Sequence, residues 1–341
     1  MSCCFSKKLF GRRSKREDRY KVSEDAVPKP EEGGEPPKYS WDRREKVNAE
    51  DFTIANIHNT TLKKESKDGG PLQMENCTDS TILYLYQTSQ VIIDDCRHCT
   101  IVLGPAAGSV FVRDCANCTI FTSCQQLRTR DCTSIRISIL CPTEPIVENS
   151  SDIHFFHLAM RYPELKDQMH AVGLRPFTNR IASVHDFTPA GVNGKGNFRV
   201  TPEVVQISDG QEEILRAKGV ILKPSPADFI PRFTDTTDPD PTFLYVLGKS
   251  EPVDELGDRA IELLHAIYKS GMQVMGTCDL ETSTVDSKLV PFAGQAERMI
   301  LFQLKGNLAN LECDVEFDVM SENDLVPLRN LLIHLEGKKN G

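Results

Sequence analysis

From residue 74 to residue 158 short apolar runs return at a near-constant spacing, each closed by polar residues and one small residue. Gln90-Val-Ile-Ile-Asp-Asp-Cys96, Ser109-Val-Phe-Val-Arg-Asp-Cys115 and Gln126-Leu-Arg-Thr-Arg-Asp-Cys132 are three copies, and Glu144-Pro-Ile-Val-Glu-Asn-Ser150 is a degenerate fourth. Each leads into a second apolar run, at residues 100–103, 119–121, 135–139 and 153–156, and residues 76–86 fit the same template upstream. Cys77, Cys96, Cys115, Cys132 and Ser150 lie 19, 19, 17 and 18 residues apart. Two short strands per period, with no room for a helix, predict a right-handed parallel β-helix, whose stacked coils bury what one coil cannot.

Stacking turns the repeat into columns. Strand alternation points Val91, Val110 and Leu127 inward, together with Ile93, Val112, Thr129 and Val147. The column between them, Ile92, Phe111, Arg128 and Ile146, then faces outward. Three of its four members are apolar, which marks an interaction surface, and the fourth is an arginine. The next outward column, Asp94, Arg113, Arg130 and Glu148, is a mixed charge ladder with Glu148 one diagonal step from Arg128.

A second pattern begins near Thr242. Residues 243–247 read as a strand, residues 253–270 as an amphipathic helix with Ile261, Leu264 and Ile267 on one face, and residues 272–278 as a strand. Residues 298–304 and 311–319 add two strands and residues 325–335 a helix. This order predicts a small α+β, ferredoxin-like unit. The expected organisation is a basic tail and linker at 1–38, the β-helix domain at 39–190, an extended Pro-, Gly- and Asp-rich connector at 191–240, and the ferredoxin-like domain at 241–341. Residues 39–46, with the only tryptophan, are expected to cap the first coil and cover its strand edge.

The net charge of −9 argues against a nucleic-acid binder, and no run is long and apolar enough to span a membrane. Residues 1–21 oppose that balance, with eight Lys and Arg against two acids. Their start, Met1-Ser-Cys-Cys-Phe5, places Cys3 and Cys4 beside the basic cluster, a pattern suited to S-acylation supported by anionic lipids, or to a basic tail with incidental thiols. Ser2 excludes N-myristoylation, which needs glycine there. No export signal is read at the start, so the twelve cysteines are expected to stay reduced. Cys96-x2-Cys99 followed by Cys115-x2-Cys118 meets the spacing of a four-cysteine zinc site. The columns argue otherwise: Cys77 and Cys132 extend the first, while Ser80, Ile135 and Ile153 fill the second. A slot that accepts isoleucine is a packing slot, so no metal site is expected.

No phosphate loop or nucleophile elbow is present; Gly104-Pro-Ala-Ala-Gly108 reads as a coil corner at which Gly108-Ser109 could approach a partner's phosphate. His185, His265 and His334 read as packing residues. Arg128 carries the chemistry: a guanidinium at the centre of an exposed apolar strip is placed to enter another protein's site, where it can neutralise charge on a transferring phosphoryl group.

At these residues the chain resembles the tubulin-folding cofactor C domain family, a β-helix with a Gln-x-Arg motif that here is Gln126-Leu127-Arg128. Further matches are Tyr39-Ser-Trp-Asp, Ile93-Asp-Asp-Cys96, Leu103-Gly-Pro105, Gly108-Ser-Val-Phe111, Cys124-Gln-Gln126, Arg130-Asp-Cys132, Tyr162-Pro-Glu-Leu165 and His185-Asp-Phe-Thr-Pro189, spread over roughly residues 38–190. The resemblance implies that Arg128 is an arginine finger oriented by Glu148, and that Gln125, Gln126 and Leu127 contact a GTPase and its nucleotide. Gly108 and Ser109 would lie against the bound GTP, with Ile92, Phe111 and Ile146 as the docking strip. The implied partner is an Arf-like small GTPase in its GTP state. GTP and Mg belong to that partner; the chain is expected to have no cofactor and no reaction of its own. The implied role is trafficking of lipidated proteins to the ciliary membrane, at the cytoplasmic face of the plasma membrane, the cilium or basal body, and in the cytoplasm. The alternative is a scaffold or tubulin-folding cofactor using the same face. The C-terminal unit is similar to a nucleoside diphosphate kinase fold without its catalytic histidine.

Overall fold

A computed structural model describes residues 52–66, 69–188, 196–201, 204–222, 242–248, 253–282 and 296–319. The repeat folds as stacked coils. Strands β1 (Thr53–Ala55), β2 (Thr61–Lys63), β3 (Leu72–Glu75), β4 (Thr81–Tyr84), β5 (Val91–Asp94) and β6 (Thr100–Leu103) alternate between two faces. They continue into β7 (Ala106–Arg113), β8 (Thr119–Arg130), β9 (Thr133–Leu140), β10 (Ile146–Glu148) and β11 (Ser151–His157). On one face β1, β3, β5, β7, β8 and β10 pair in parallel; on the other β2, β4, β6, β8, β9 and β11 do so. β8 serves both faces because its coil is the 17-residue one, two residues shorter than its predecessors, and runs through the corner that Gly104 and Pro105 open in the coil before.

The corners are set by backbone chemistry. Asn56, Asn76, Asp95, Asp114, Asp131 and Asn149 occupy one corner of successive coils with φ between 43° and 56°, and Asn59, Asp79, His98, Asn117, Ser134 and Asp152 occupy a second. Asn and Asp tolerate the left-handed region better than other side chains, which is why the polar punctuation recurs. Directly after the first corner stands the cysteine column. Cys77, Cys96, Cys115 and Cys132 each donate S–H to the carbonyl two residues back, at 3.0–3.3 Å, and Ser150 repeats the bond with its hydroxyl at 2.8 Å. These thiols are buried and free. Among the described residues no group of three or more His, Cys, Asp or Glu side chains gathers to hold a metal.

Inside, Val91, Ile93, Val110, Val112, Leu127 and Val147 meet Ile101, Ile120, Ile137 and Phe155 in one continuous core. The strands of the second face are apolar on their outer side as well, and Leu83, Val102, Phe121 and Leu140 pack there beneath Leu165, Met169 and Leu215. Those three come from helices, α1 (Leu165–Ala171) and, after β12 (Met160–Arg161), β13 (His185–Asp186) and β14 (Phe198–Thr201), α2 (Asp209–Ala217). α2 opens on a capping box formed by Ser208 and Gln211. The extended connector expected at 191–240 is therefore corrected in its described part: β14 adds a rung beside β11, α2 covers the solenoid, and β15 (Ile221–Leu222) pairs with β12. The low apolar content of that stretch suffices because each element covers a surface that already exists.

The C-terminal unit comprises β16 (Thr242–Gly248), α3 (Val253–Lys269), β17 (Gln273–Glu281), β18 (Arg298–Lys305) and β19 (Asp318–Val319). Its sheet runs β17-β18-β16-β19 with antiparallel neighbours, the ferredoxin-like order. The strand expected at 311–319 is reduced to two residues, and a 3-10 turn at Leu308–Asn310 stands between β18 and β19. The expected helix at 325–335, the cap at 39–46, and Cys3 and Cys4 lie outside the described residues.

A short segment ties the solenoid to this unit. Phe177 packs into the C-terminal core, edge-on to Phe302 with centroids 5.6 Å apart. Two residues on, Asn179 donates to the Ile139 carbonyl at 2.7 Å and accepts from the Cys141 amide at 2.9 Å, and Ile181 enters the solenoid core. Arg175 lies 3.6 Å from the buried Asp279 carboxylate, which also holds Arg298.

Candidate functional site

The second face of the solenoid is covered by helices; the first presents its outer columns half-exposed. The parallel register aligns Ile92 with Phe111, Phe111 with Arg128, and Arg128 with Ile146, so the four residues read as one outward column do form one. All four are half-buried, while Val110, Val112, Leu127, Thr129 and Val147 on either side are fully buried.

Arg128 stands at the centre. Its guanidinium carbon lies 5.8 Å from the centroid of the Phe111 ring, within cation–π reach. Among the described residues it has no ion pair. Its neighbours in the charge ladder behave differently. Arg113 grips Asp94 with two hydrogen bonds, the Nε one at 2.6 Å, and this carboxylate raises its already high pKa. Arg130 pairs with Asp131 at 3.2 Å. Glu148 sits beside Arg130 in register, is exposed, and makes no ion pair among the described residues. The expectation that it orients Arg128 is not realised in the free chain, where an aromatic ring takes that place.

The remaining expected contacts separate. Ser109 and Gln126 are register partners beside Phe111 and Arg128, and the Ser109 hydroxyl donates to Gln126 Oε1 at 3.3 Å. Gln125 lies at the coil corner, away from the column. It lines a cleft of about 340 Å³ with Pro142, His170, Leu174, Arg175 and Thr178, and its carbonyl accepts from Thr143 at 2.6 Å. Leu127 is corrected: at 0% exposure it belongs to the core and offers no side chain to a partner. Gly108 has a steric reason for being glycine, since a Cβ there would stand 2.7 Å from the Ser89 carbonyl oxygen, within an irregular stretch of β7 between Ala106 and Ser109.

Two residues join the face unannounced by the repeat. β13 pairs with β10, so His185 continues the Arg128 column beyond Ile146. Phe187 follows, its amide bonded to the Val147 carbonyl, its ring edge-on to His185 at 4.3 Å, and 62% exposed. Alternation within His185-Asp-Phe187 was the available signal, but residues 158–184 separate it from the last strand of the preceding coil, which ends at His157.

The family model for tubulin binding cofactor C matches residues 69–187, which run from the second coil to Phe187. This stretch is similar to the cofactor C domain. The chain is 39% identical to Protein XRP2 of Xenopus laevis over 212 residues, 61% of this chain and 57% of that one. It is also 39% identical to Protein XRP2 of Homo sapiens over 211 residues, 61% of this chain and 56% of that one. The chain thus spans just over half the length of these curated relatives. Among solved structures, tubulin binding cofactor C from Leishmania major aligns at 22% identity with a TM-score of 0.31, covering 44% of this chain and 94% of that one. In this chain the matched stretch is a parallel β-helix, and the face that no helix covers among the described residues carries Arg128.

Proposed function

We propose that the cofactor C domain is a GTPase-activating module that supplies Arg128 in trans to an Arf-like small GTPase in its GTP state. The observation that carries this reading is the electrostatic sorting of one face: Arg113 and Arg130 are engaged by carboxylates, whereas Arg128 pairs with none among the described residues and is centred in an apolar strip. The strip of Ile92, Phe111 and Ile146, extended by His185 and Phe187, supports docking. Gln126 and Ser109 border the nucleotide, and the GTP and Mg do their chemistry on the partner. The chain contributes no cofactor and no reaction of its own; it supplies charge where the transferring phosphoryl group develops it, an effect of roughly 10³–10⁵ in rate. Glu148, exposed beside Arg130 and without an ion pair among the described residues, is available to meet the finger once the partner is bound.

In this reading the acylated tail at Cys3 and Cys4 holds the protein at the cytoplasmic face of the plasma membrane or cilium, where activation serves traffic of lipidated proteins. The second reading, a tubulin-binding scaffold using the same face, is favoured by the name of the matched family model. Single-turnover GTP hydrolysis by a panel of Arf-like GTPases decides between them. The activating reading expects acceleration by wild type and none by Arg128→Ala; binding with no change in hydrolysis rate would favour the scaffold.

A further inference from the structure

An arginine that must donate to phosphate oxygens meets a conflict in the free protein. A carboxylate would hold the guanidinium in place, but it would occupy the donors and offset the charge that the partner needs. Arg113 and Arg130 are in that condition. An aromatic face restrains a guanidinium through its plane and leaves the five N–H groups at the edge open.

We propose that Phe111 is a positioning residue for Arg128, holding the side chain over its ring with its donors unspent until the partner's nucleotide arrives. This deepens the activating reading above and rests on it. Phe111 and Arg128 are register partners on β7 and β8, so their separation is set by the hydrogen-bonded backbone of the solenoid. The 5.8 Å between guanidinium carbon and ring centroid, with both side chains half-buried, places the contact at the rim of the core, where neither group is free to swing inward. Val110 and Val112 on either side of Phe111 are fully buried, which anchors the strand beneath the ring.

The test separates positioning from docking. Phe111→Leu keeps an apolar side chain and removes the ring face, while Phe111→Tyr keeps the face. With a GTP-loaded Arf-like GTPase in single turnover, Phe111→Leu is expected to lower the maximal rate about two- to fivefold, the worth of one exposed cation–π contact. The activator concentration at half-maximal rate reports the part Phe111 has in the docking strip and is fitted separately; Phe111→Tyr, which keeps the ring face, should retain the wild-type maximal rate. A raised half-maximal concentration with an unchanged maximal rate would make Phe111 a docking residue only and overturn the proposal. A partner-free readout accompanies it: the Arg128 Hδ protons should show an upfield ring-current shift by NMR, lost in Phe111→Leu and kept in Phe111→Tyr. Absence of that shift in the wild type also overturns the proposal. If wild type accelerates no GTPase while Arg128 shows the ring shift, the activating reading fails instead.

Discussion

Leu127 and Arg128 are adjacent, yet opposite faces of one strand predict that they fail in opposite ways when cut to alanine. Leu127 is fully buried in the solenoid core. Truncation removes three carbons, about 0.8 kcal/mol each in transfer. A residual cavity of roughly 50–80 Å³, at about 24 cal/mol per Å³, adds another 1–2 kcal/mol, for a total of about 3.5–4.5 kcal/mol. Arg128 has no ion pair among the described residues and one ring contact, so Arg128→Ala should cost about 0.5–1 kcal/mol. Urea denaturation with a shared slope measures both costs. Activity should invert the order: Leu127→Ala, assayed where it remains folded, should stimulate GTP hydrolysis within a few-fold of wild type, whereas Arg128→Ala should lose about 10³-fold or more. The reasoning is refuted if Leu127→Ala costs under 1 kcal/mol, or if Arg128→Ala is the less stable of the two. In either case residues 126–130 would not alternate between core and surface as described.

Other positions give sharper local tests. Gly108→Ala, with a Cβ 2.7 Å from the Ser89 carbonyl, should destabilise the domain by about 1–3 kcal/mol in the same denaturation assay. Asp114 adopts φ 52°, so Asp114→Ala should cost about 1–2 kcal/mol while Asp114→Asn stays near wild type; thermal melts distinguish them. Burial lowers the His157 pKa, and its Nδ1 has no partner among the described residues, so the unfolded chain binds the proton more readily. Stability is then full above about pH 6.5 and falls as pH drops below it, at up to about 1.4 kcal/mol per pH unit, and His157→Leu should flatten that loss between pH 7.5 and 5.5. Phe177→Ala should cost the C-terminal unit about 3–5 kcal/mol, seen as a lower melting transition.

The solenoid was legible because its signal is one-dimensional. A period read from Cys77 to Ser150 determines which residues stand side by side, and the register of Ile92, Phe111, Arg128 and Ile146 followed without any tertiary information. What lies on top of a face is not encoded in the period. Residues 101–103 are apolar at every position, and only the structure shows that Val102 meets helices while Ile101 meets the core. Residues 196–222 misled for a related reason, since elements that complete an existing sheet or cover an existing surface need little apolar content of their own. At the site, proximity was readable but choice of partner was not. Glu148 and Phe111 both lie within reach of Arg128 in the register, and side-chain geometry decides for the ring. Gly108 was visible as a close approach, although the approaching atom proves to be the chain's own carbonyl.

The segment from Arg175 to Ile181 belongs to two bodies at once. Phe177 completes the C-terminal core, while Asn179 and Ile181 close the solenoid, which also needs β14 and α2 further on. A fragment with a whole C-terminal unit must begin upstream of Arg175, and one with a whole solenoid must continue through Leu222. Those requirements overlap, so no single scission yields two complete halves. Protease nicking between residues 222 and 242 should leave both pieces clasped together, parting only when one of them unfolds.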